Sequence, residues 1–357
     1  MNEMPIRITK ATTKKDKPRD KDLTFGTVFT DHMFVMDFKE EKGWYDPRIE
    51  PYGDLPLDPA AAVLHYAQAI FDGLKAFRGK DGKIRLFRPQ KHIERMSNSA
   101  KRLCIPPLDP ELAFRSLTDL VSLERDWVPG TVGTSLYIRP TVIANEAFLG
   151  VRPAHSYLYY VILSPVGAYY PEGLNPVKIL VVDTDVRAVE GGIGGAKTGA
   201  NYAASLHAAE EAKHKGFTQV LWLDGRERKY LDEVGTMNIM LQIGDEVITP
   251  PLGTNTILPG VTRDSSLTLM REWGMKVHER QISIDEVLAA AADGTLREMW
   301  GTGTAAVISP VGELAYKHHR IAINGGKIGE TAQRLYDAIV GIQYGTAPDT
   351  HRWTVEV

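Results

Sequence analysis

Gly191-Gly-Ile-Gly-Gly-Ala-Lys-Thr-Gly-Ala-Asn-Tyr-Ala-Ala-Ser205 sets four glycines ahead of a single lysine, Lys197, and surrounds that lysine with small residues. Glycine permits backbone conformations closed to other residues and lets the chain come close to a ligand. Three readings follow. The spacing of Gly191, Lys197 and Thr198 approaches a phosphate loop, although Ala196 stands where the last glycine belongs and charged residues interrupt the stretch before it. A flexible glycine loop carrying a surface lysine is the plainest reading. The third is a Schiff-base lysine, because an amine held among small groups away from water loses its proton readily and attacks an aldehyde. That chemistry also asks for a phosphate site, a carboxylate beside a pyridine nitrogen and a donor to a phenolic oxygen.

Outward from this segment, the chain reads as an ordinary globular protein. Its 357 residues suggest about two domains. With 43% hydrophobic and 24% charged residues it has enough apolar content for a substantial core and is not of disordered or fibrous type. A net charge of −3 gives no electrostatic reason to expect nucleic acid or a membrane as partner. The lone cysteine, Cys104, excludes an intrachain disulfide or a multi-cysteine metal site, and reads as a packing residue of a cytoplasmic protein. No metal site is expected: His318 and His319 are adjacent and, on a strand, would face opposite ways.

Leu74–Arg78 and Lys83–Arg88 flank Gly79-Lys-Asp-Gly82 and predict a hairpin. Leu108–Trp127 reads as a helix capped by Asp109, and Tyr157–Leu163 and Val177–Val182 as strands. Asn201–Lys215 predicts one helix with Leu206, Ala209 and Ala212 inward. Ser283 and Glu286 form a capping box. The mixture predicts an α/β chain of mixed α+β type. A solvated arm covers 1–22, a small N-terminal domain 23–166, a linker 167–176 and a larger C-terminal domain 177–357.

Set beside Tyr230-Leu-Asp-Glu-Val-Gly-Thr-Met-Asn238, the run Lys197–Ser205 resembles the signature of branched-chain amino acid aminotransferases, pyridoxal-phosphate enzymes of fold type IV. Phe71–Gly79, Leu86–Pro89, Tyr137–Pro140 with Asn145-Glu146, Ile257–Arg263 and Gly301–Ala305 match in the same order, so the likeness spans nearly the whole chain. It implies the two-domain, D-amino acid aminotransferase-like fold and a homodimer whose second subunit partly closes the site. It implies pyridoxal 5′-phosphate (PLP) on Lys197, with Tyr202 donating to the phenolic oxygen and Glu233 facing the ring nitrogen. Arg95, Thr236, Val261, Thr262 and Thr304 would hold the remainder of the cofactor, chiefly its phosphate. Phe25, Tyr66, Phe71, Tyr137, Arg139, Tyr169, Thr236 and Ala305 would line the substrate pocket. Arg139 would meet the charged end of glutamate. The implied reaction passes the amino group of L-leucine, L-isoleucine or L-valine to 2-oxoglutarate, giving glutamate. Mammalian members carry two cysteines three positions apart after the Gly-Thr-Ala segment; Ala306 and Ser309 stand there, so no such thiol switch is expected. D-amino acid aminotransferase and 4-amino-4-deoxychorismate lyase are rivals in the same fold. A P-loop-like nucleotide-binding protein and a non-catalytic glycine-loop module are rivals outside it.

Overall fold

The computed structural model describes residues 4–167 and 174–357. The chain divides into two compact units. The first is built on a nine-stranded sheet in the order Arg7–Ile8, Gly43–Pro51, His32–Lys39, Ser156–Val166, Ser135–Ala144, Leu74–Arg78, Ile84–Phe87 and Thr354–Glu356, with Ala69–Phe71 paired to Ser135–Ala144. Its two long central strands are aligned antiparallel, Ile138 opposite Leu163 and Tyr137 opposite Ser164. Side chains alternate along a strand. Leu136, Ile138 and Val142, with Tyr159, Val161 and Leu163, therefore share one face, covered by Met96 and Ala100 of helix Pro89–Arg102 and by Leu112, Leu117 and Leu120 of helix Pro110–Leu123. The alternation leaves Tyr137, Arg139 and Ser164 on the other face. A one-residue slip would exchange the two sets, so burial of the helix-covered face also fixes which residues the open face presents.

The local signals hold. Arg78 pairs with Ile84 across the Asp81-Gly82 turn, where Gly82 has φ +77°. Asp109 accepts from the Leu112 N–H at 2.8 Å and starts its helix, which ends at Leu123 with a short 3-10 turn, Arg125–Trp127, beyond it.

The N-terminal arm is largely exposed, but it is tied down through its backbone. Arg7–Ile8 adds a parallel strand beside Arg48–Ile49. The Ala11 N–H donates to His32 Nε2 at 2.8 Å, and the Lys15 N–H to Asp31 at 2.8 Å. Asp31 also accepts from the Trp127 indole, and His32, with Nε2 serving as acceptor, donates from Nδ1 to buried Glu124. The Lys and Arg of this segment read as solvating charges, but its backbone donors are what buried Asp31 and His32 bind. The C-terminal domain likewise does not run on to the C-terminus. Gly341–Val357 belongs to the first unit, making that unit the larger in residue count. Thr354–Glu356 pairs with Arg85–Phe87, Asp349 accepts from the Trp353 and Thr354 N–H groups, and the Tyr344 hydroxyl donates to the Thr134 carbonyl at 2.5 Å. Ala196–Gly199 also belongs to this unit.

The second unit carries the other sheet. Leu231–Val234, Gln219–Leu223, Val177–Val182, Val307–Tyr316, Leu296–Gly303 and Met237–Ile243 follow one another, and the first pairs with the last, closing six strands into a ring. Glu246–Thr249 and Lys276–Glu279 extend it from Met237–Ile243. Helix Ile284–Ala292 starts at the predicted cap, Ser283 Oγ accepting from the Glu286 N–H at 3.1 Å. The expected helix over 201–215 is broken into Gly199–Ala203 and Leu206–His214, because the Ser205 hydroxyl donates to the Tyr202 carbonyl and Ser205 leaves the ladder. The second piece starts in a new phase. Ala208 and Ala212 face inward with Phe217, while Leu206 is exposed.

Two smaller expectations fail. Cys104 is exposed, on a backbone with φ +54°, rather than packed. His318 lies in the turn before strand His319–Ala322, and its ring is tilted against that of His319 with the centres 4.0 Å apart. Among the described residues no helix is long and apolar enough to cross a membrane.

Candidate active site

Lys197 is fixed through its backbone. Its N–H donates to Ser99 Oγ at 2.9 Å, and its carbonyl accepts from the Phe71 N–H at 3.0 Å. Its Nζ stands 5.0 Å from the centre of the Phe71 ring. Burial lowers the amine to about 8, the charge of Arg95 adds to this, and Asp72 opposes it. At pH 7.5 roughly a quarter of such amines are neutral, against about one in a thousand at the ordinary value. The side chain is thus a nucleophile and proton carrier poised near neutral pH, which a solvated surface lysine is not.

Helix Pro89–Arg102 brings His92, Arg95 and Ser99 onto one stripe by their three- and four-residue spacing. Asp72 receives the first two. Arg95 Nε donates to Oδ2 at 2.9 Å and Nη2 to Oδ1 at 2.7 Å, with His92 Nδ1 also 2.7 Å from Oδ1. All three are buried. Burial alone would raise the Asp72 carboxyl, but Arg95 and His92 hold it well below the usual carboxylate range. Arg95 is therefore a fixed, oriented cation, the form suited to a phosphate. Asp72 is absent from the expected site. Its only sequence signal is an acid between two apolar strands, and its partner Arg95 is 23 positions away.

Tyr137 and Arg139 form a second cluster in this unit. Arg139 Nη2 donates to the Tyr137 hydroxyl at 2.9 Å, and the guanidinium lies 4.6 Å from the Phe71 ring centre. Phe25 meets Tyr137 edge-on at 5.0 Å. Gly73 is required here: a Cβ at that position would fall 1.9 Å from the Tyr137 hydroxyl oxygen. Gly73→Ala is expected to expel the Tyr137 ring and to cost about 1–3 kcal/mol of stability through overpacking. Urea denaturation checks it; an unchanged midpoint contradicts the contact. Tyr66 is not brought into this cluster. It ends helix Ala62–Tyr66, is exposed, and donates its hydroxyl to the Leu149 carbonyl at 2.6 Å. Tyr169 lies outside the described residues.

The second unit assembles its own set. Glu233 and Asn238 face each other across the hairpin whose tip is Gly235-Thr236, with Thr236 exposed. The buried Glu233 carboxylate is ion-paired with Arg187 and accepts from Asn238 Nδ2 at 3.1 Å and from the Leu258 N–H at 3.1 Å. Asn238 also donates to the Leu258 carbonyl, which ties the hairpin to the next loop. That loop ends at Gly260, the N-cap of helix Val261–Glu272, which no side chain caps. A Cβ on Gly260 would come within 2.0 Å of Asn238 Oδ1, so glycine lets the helix start approach the hairpin. Val261 and Thr262 form the first turn, where N–H groups face an anion. Thr304 and Ala305 lie half-buried in the turn between Leu296–Gly303 and Val307–Tyr316, and Tyr202 is half-buried on Gly199–Ala203. Arg187 carried no sequence signal. Asn238 stood inside the motif but was assigned no role. On the opposite side of the strand from Glu233, burial and then the Glu233 charge raise Asp232 to about 7.

A family model described as amino-transferase class IV matches residues 69–314. The chain is 55% identical over its full length, and over 98% of the relative, to branched-chain-amino-acid aminotransferase 2 of Bacillus subtilis. The chain belongs to the class IV aminotransferases, among the branched-chain-amino-acid enzymes. The crystal structure of Escherichia coli branched-chain amino acid aminotransferase superposes with a TM-score of 0.76 at 25% identity, covering 91% of this chain and 98% of that one. The branched-chain amino acid aminotransferase of Thermobaculum terrenum, solved in its PLP form, shares the fold with a TM-score of 0.74 at 22% identity, covering 91% and 98%. The phosphate-loop reading of Gly191–Lys197 is thereby set aside.

Proposed function

We propose that this aminotransferase moves the amino group of L-leucine, L-isoleucine or L-valine to 2-oxoglutarate, with PLP as its cofactor and Lys197 as the lysine that carries it. The observation that carries the reading is half-buried Lys197, its amine lowered to about 8 and its backbone held by two hydrogen bonds. Each unit by itself carries donors that suit the cofactor. Arg95 supplies a preset cation for a phosphate, the helix start at Gly260 a close-approach backbone, and Glu233 a buried carboxylate for a pyridinium N–H. We assign Val261, Thr262, Thr304 and Thr236 to the phosphate and its surroundings, and Tyr202 to the phenolic oxygen.

When bound, the cofactor supplies an aldehyde and an electron-withdrawing ring. The rest is done by this chain. Lys197 Nζ takes the proton from the substrate Cα and later returns it. Arg187 pairs with the Glu233 carboxylate and orients it, so that Glu233 can hold a proton on the ring nitrogen. Phe25, Phe71, Tyr137 and Ala305 exclude water around the aliphatic side chain, and Arg139 meets a carboxylate when glutamate is the substrate.

Tyr66 and Tyr169 join the pocket in this reading, Tyr66 by way of a second copy. Leu64, Tyr66, Phe148, Leu149 and Val151 are exposed apolar residues on helix 62–66 and the loop at 147–151, which are joined by the Ala61–Ala147 bridge. Such a patch supports a homodimer. We place the enzyme in the cytoplasm, where an exposed thiol such as Cys104 stays reduced. The test is glutamate formation from 2-oxoglutarate with each of the three amino acids, read beside D-alanine. Turnover of the branched L-acids supports the proposal, and preference for the D-acid overturns it.

A further inference from the structure

Asp232 and Glu233 are consecutive on strand Leu231–Val234, so their side chains leave it on opposite faces. The loop at 254–258 takes hold of both. The Thr256 hydroxyl donates to Asp232 Oδ1 at 3.2 Å and accepts in turn from the Thr254 hydroxyl, 2.8 Å away. Two residues on, the Leu258 N–H donates to Glu233 at 3.1 Å. The Thr256 carbonyl accepts from Arg187 Nη2 at 3.0 Å, and the same nitrogen is ion-paired with Glu233. Asp232, Thr256 and the Arg187 side chain are all buried. Thr256 is thus the joint of a chain that runs from Asp232 through its hydroxyl, and from its carbonyl through Arg187 to Glu233.

We propose that Asp232 is a positioning residue: through Thr256 it fixes the Arg187–Glu233 pair, and so decides how firmly Glu233 holds a proton on the cofactor's ring nitrogen. The inference rests on the placement of Glu233 at that nitrogen given above. A carboxylate serves one N–H well only when its neighbours hold it within about 0.5 Å of its place. Arg187 and the Leu258 N–H both bind the Glu233 carboxylate, and both hang on the loop at 254–258. Asp232 is the acceptor that fixes the Thr256 side chain of that loop. It can do so in either charge state, because a carboxyl oxygen still accepts when its twin is protonated. Asp232, Thr254 and Thr256 also line one cavity, so Thr256 has room to turn once its acceptor is removed.

The test is nitrogen-15 NMR of the holoenzyme loaded with PLP labelled at its ring nitrogen, whose resonance separates the protonated ring from the unprotonated one. Glu233→Gln sets the reference and is expected to move the resonance toward the unprotonated position. Asp232→Ala should move it in the same direction and lower kcat and kcat/KM together by about tenfold, the size of one buried hydrogen bond. Asp232→Asn should leave the resonance at its wild-type position and kcat within about threefold, because the amide oxygen still accepts from Thr256. A loss of stability alone would not move the resonance. An unmoved resonance in Asp232→Ala, or an Asp232→Asn protein that shifts as far as Asp232→Ala, overturns the proposal. If Asp232→Ala does not fold, Thr256→Val decides: a shifted resonance supports the proposal and an unmoved one overturns it. A resonance that Glu233→Gln leaves in place sinks the placement of Glu233 and this inference with it. One that answers to Glu233→Gln but not to Asp232→Ala sinks this inference alone.

Discussion

Lys197→Ala is expected to lower kcat for leucine–2-oxoglutarate transamination by at least about a thousandfold, the scale of losing a positioned acid–base group. The residue combines two roles: an amine that is about a quarter neutral at pH 7.5 and a proton carrier whose backbone is held in place by the Ser99 and Phe71 hydrogen bonds. Arg95 and Glu233 are unaffected by the change, so cofactor affinity through phosphate and ring nitrogen should fall much less than turnover. Added methylamine should restore part of the rate by standing in for the missing Nζ. Steady-state kinetics with and without the amine check this. Activity within tenfold of wild type would show that another group moves the Cα proton.

Asp72→Asn is expected to have the largest effect on stability. The substitution keeps the shape and removes the charge, leaving the buried Arg95 guanidinium without its counter-ion. Breaking a buried pair from one side costs about 3–5 kcal/mol. The pH dependence follows from the depressed Asp72 carboxyl. A carboxyl held below its unfolded value contributes stability that is complete above about pH 4 and is lost as the pH falls toward the folded value. The difference between wild type and variant should therefore shrink below about pH 4, with His92, whose protonated form Asp72 favours, adding a dependence of its own below its ordinary value. Urea midpoints as a function of pH measure it. The variant should also bind PLP more weakly, because Arg95 loses the partner that orients it. An unchanged midpoint at pH 7 would mean that the Asp72–Arg95–His92 group does not hold Arg95.

The parts of the fold legible in the sequence were those set by short-range chemistry. Asp109 caps the Leu112 N–H, Asp81-Gly82 turns a hairpin and Ser283 caps the Glu286 N–H, each within a few residues. Glu233 was legible through the likeness of its motif, whereas Asn238, which a two-residue turn places opposite it, stood in that motif without a role. What escaped depends on partners far apart in the chain. Asp72 meets Arg95 23 positions on, and His32 meets Glu124 92 positions on; spacing rules have no view of either. The last strand, Thr354–Glu356, returns to Ile84–Phe87 for the same reason. The break at Ser205 was hidden differently. Its alanine-rich surroundings favour a continuous helix, and only the Ser205–Tyr202 bond shows why the ladder stops.

The central claim is that Lys197, and not another lysine, carries the cofactor. Lys75 sharpens the question, since it is buried and is also lowered to about 8. The direct measurement is the visible spectrum of the purified protein with PLP before and after borohydride, followed by mass mapping of the modified peptide. The account predicts a yellow band that reduction removes, with the pyridoxyl group retained on Lys197. A protein that stays colourless, or a pyridoxyl group found on Lys75, would contradict it.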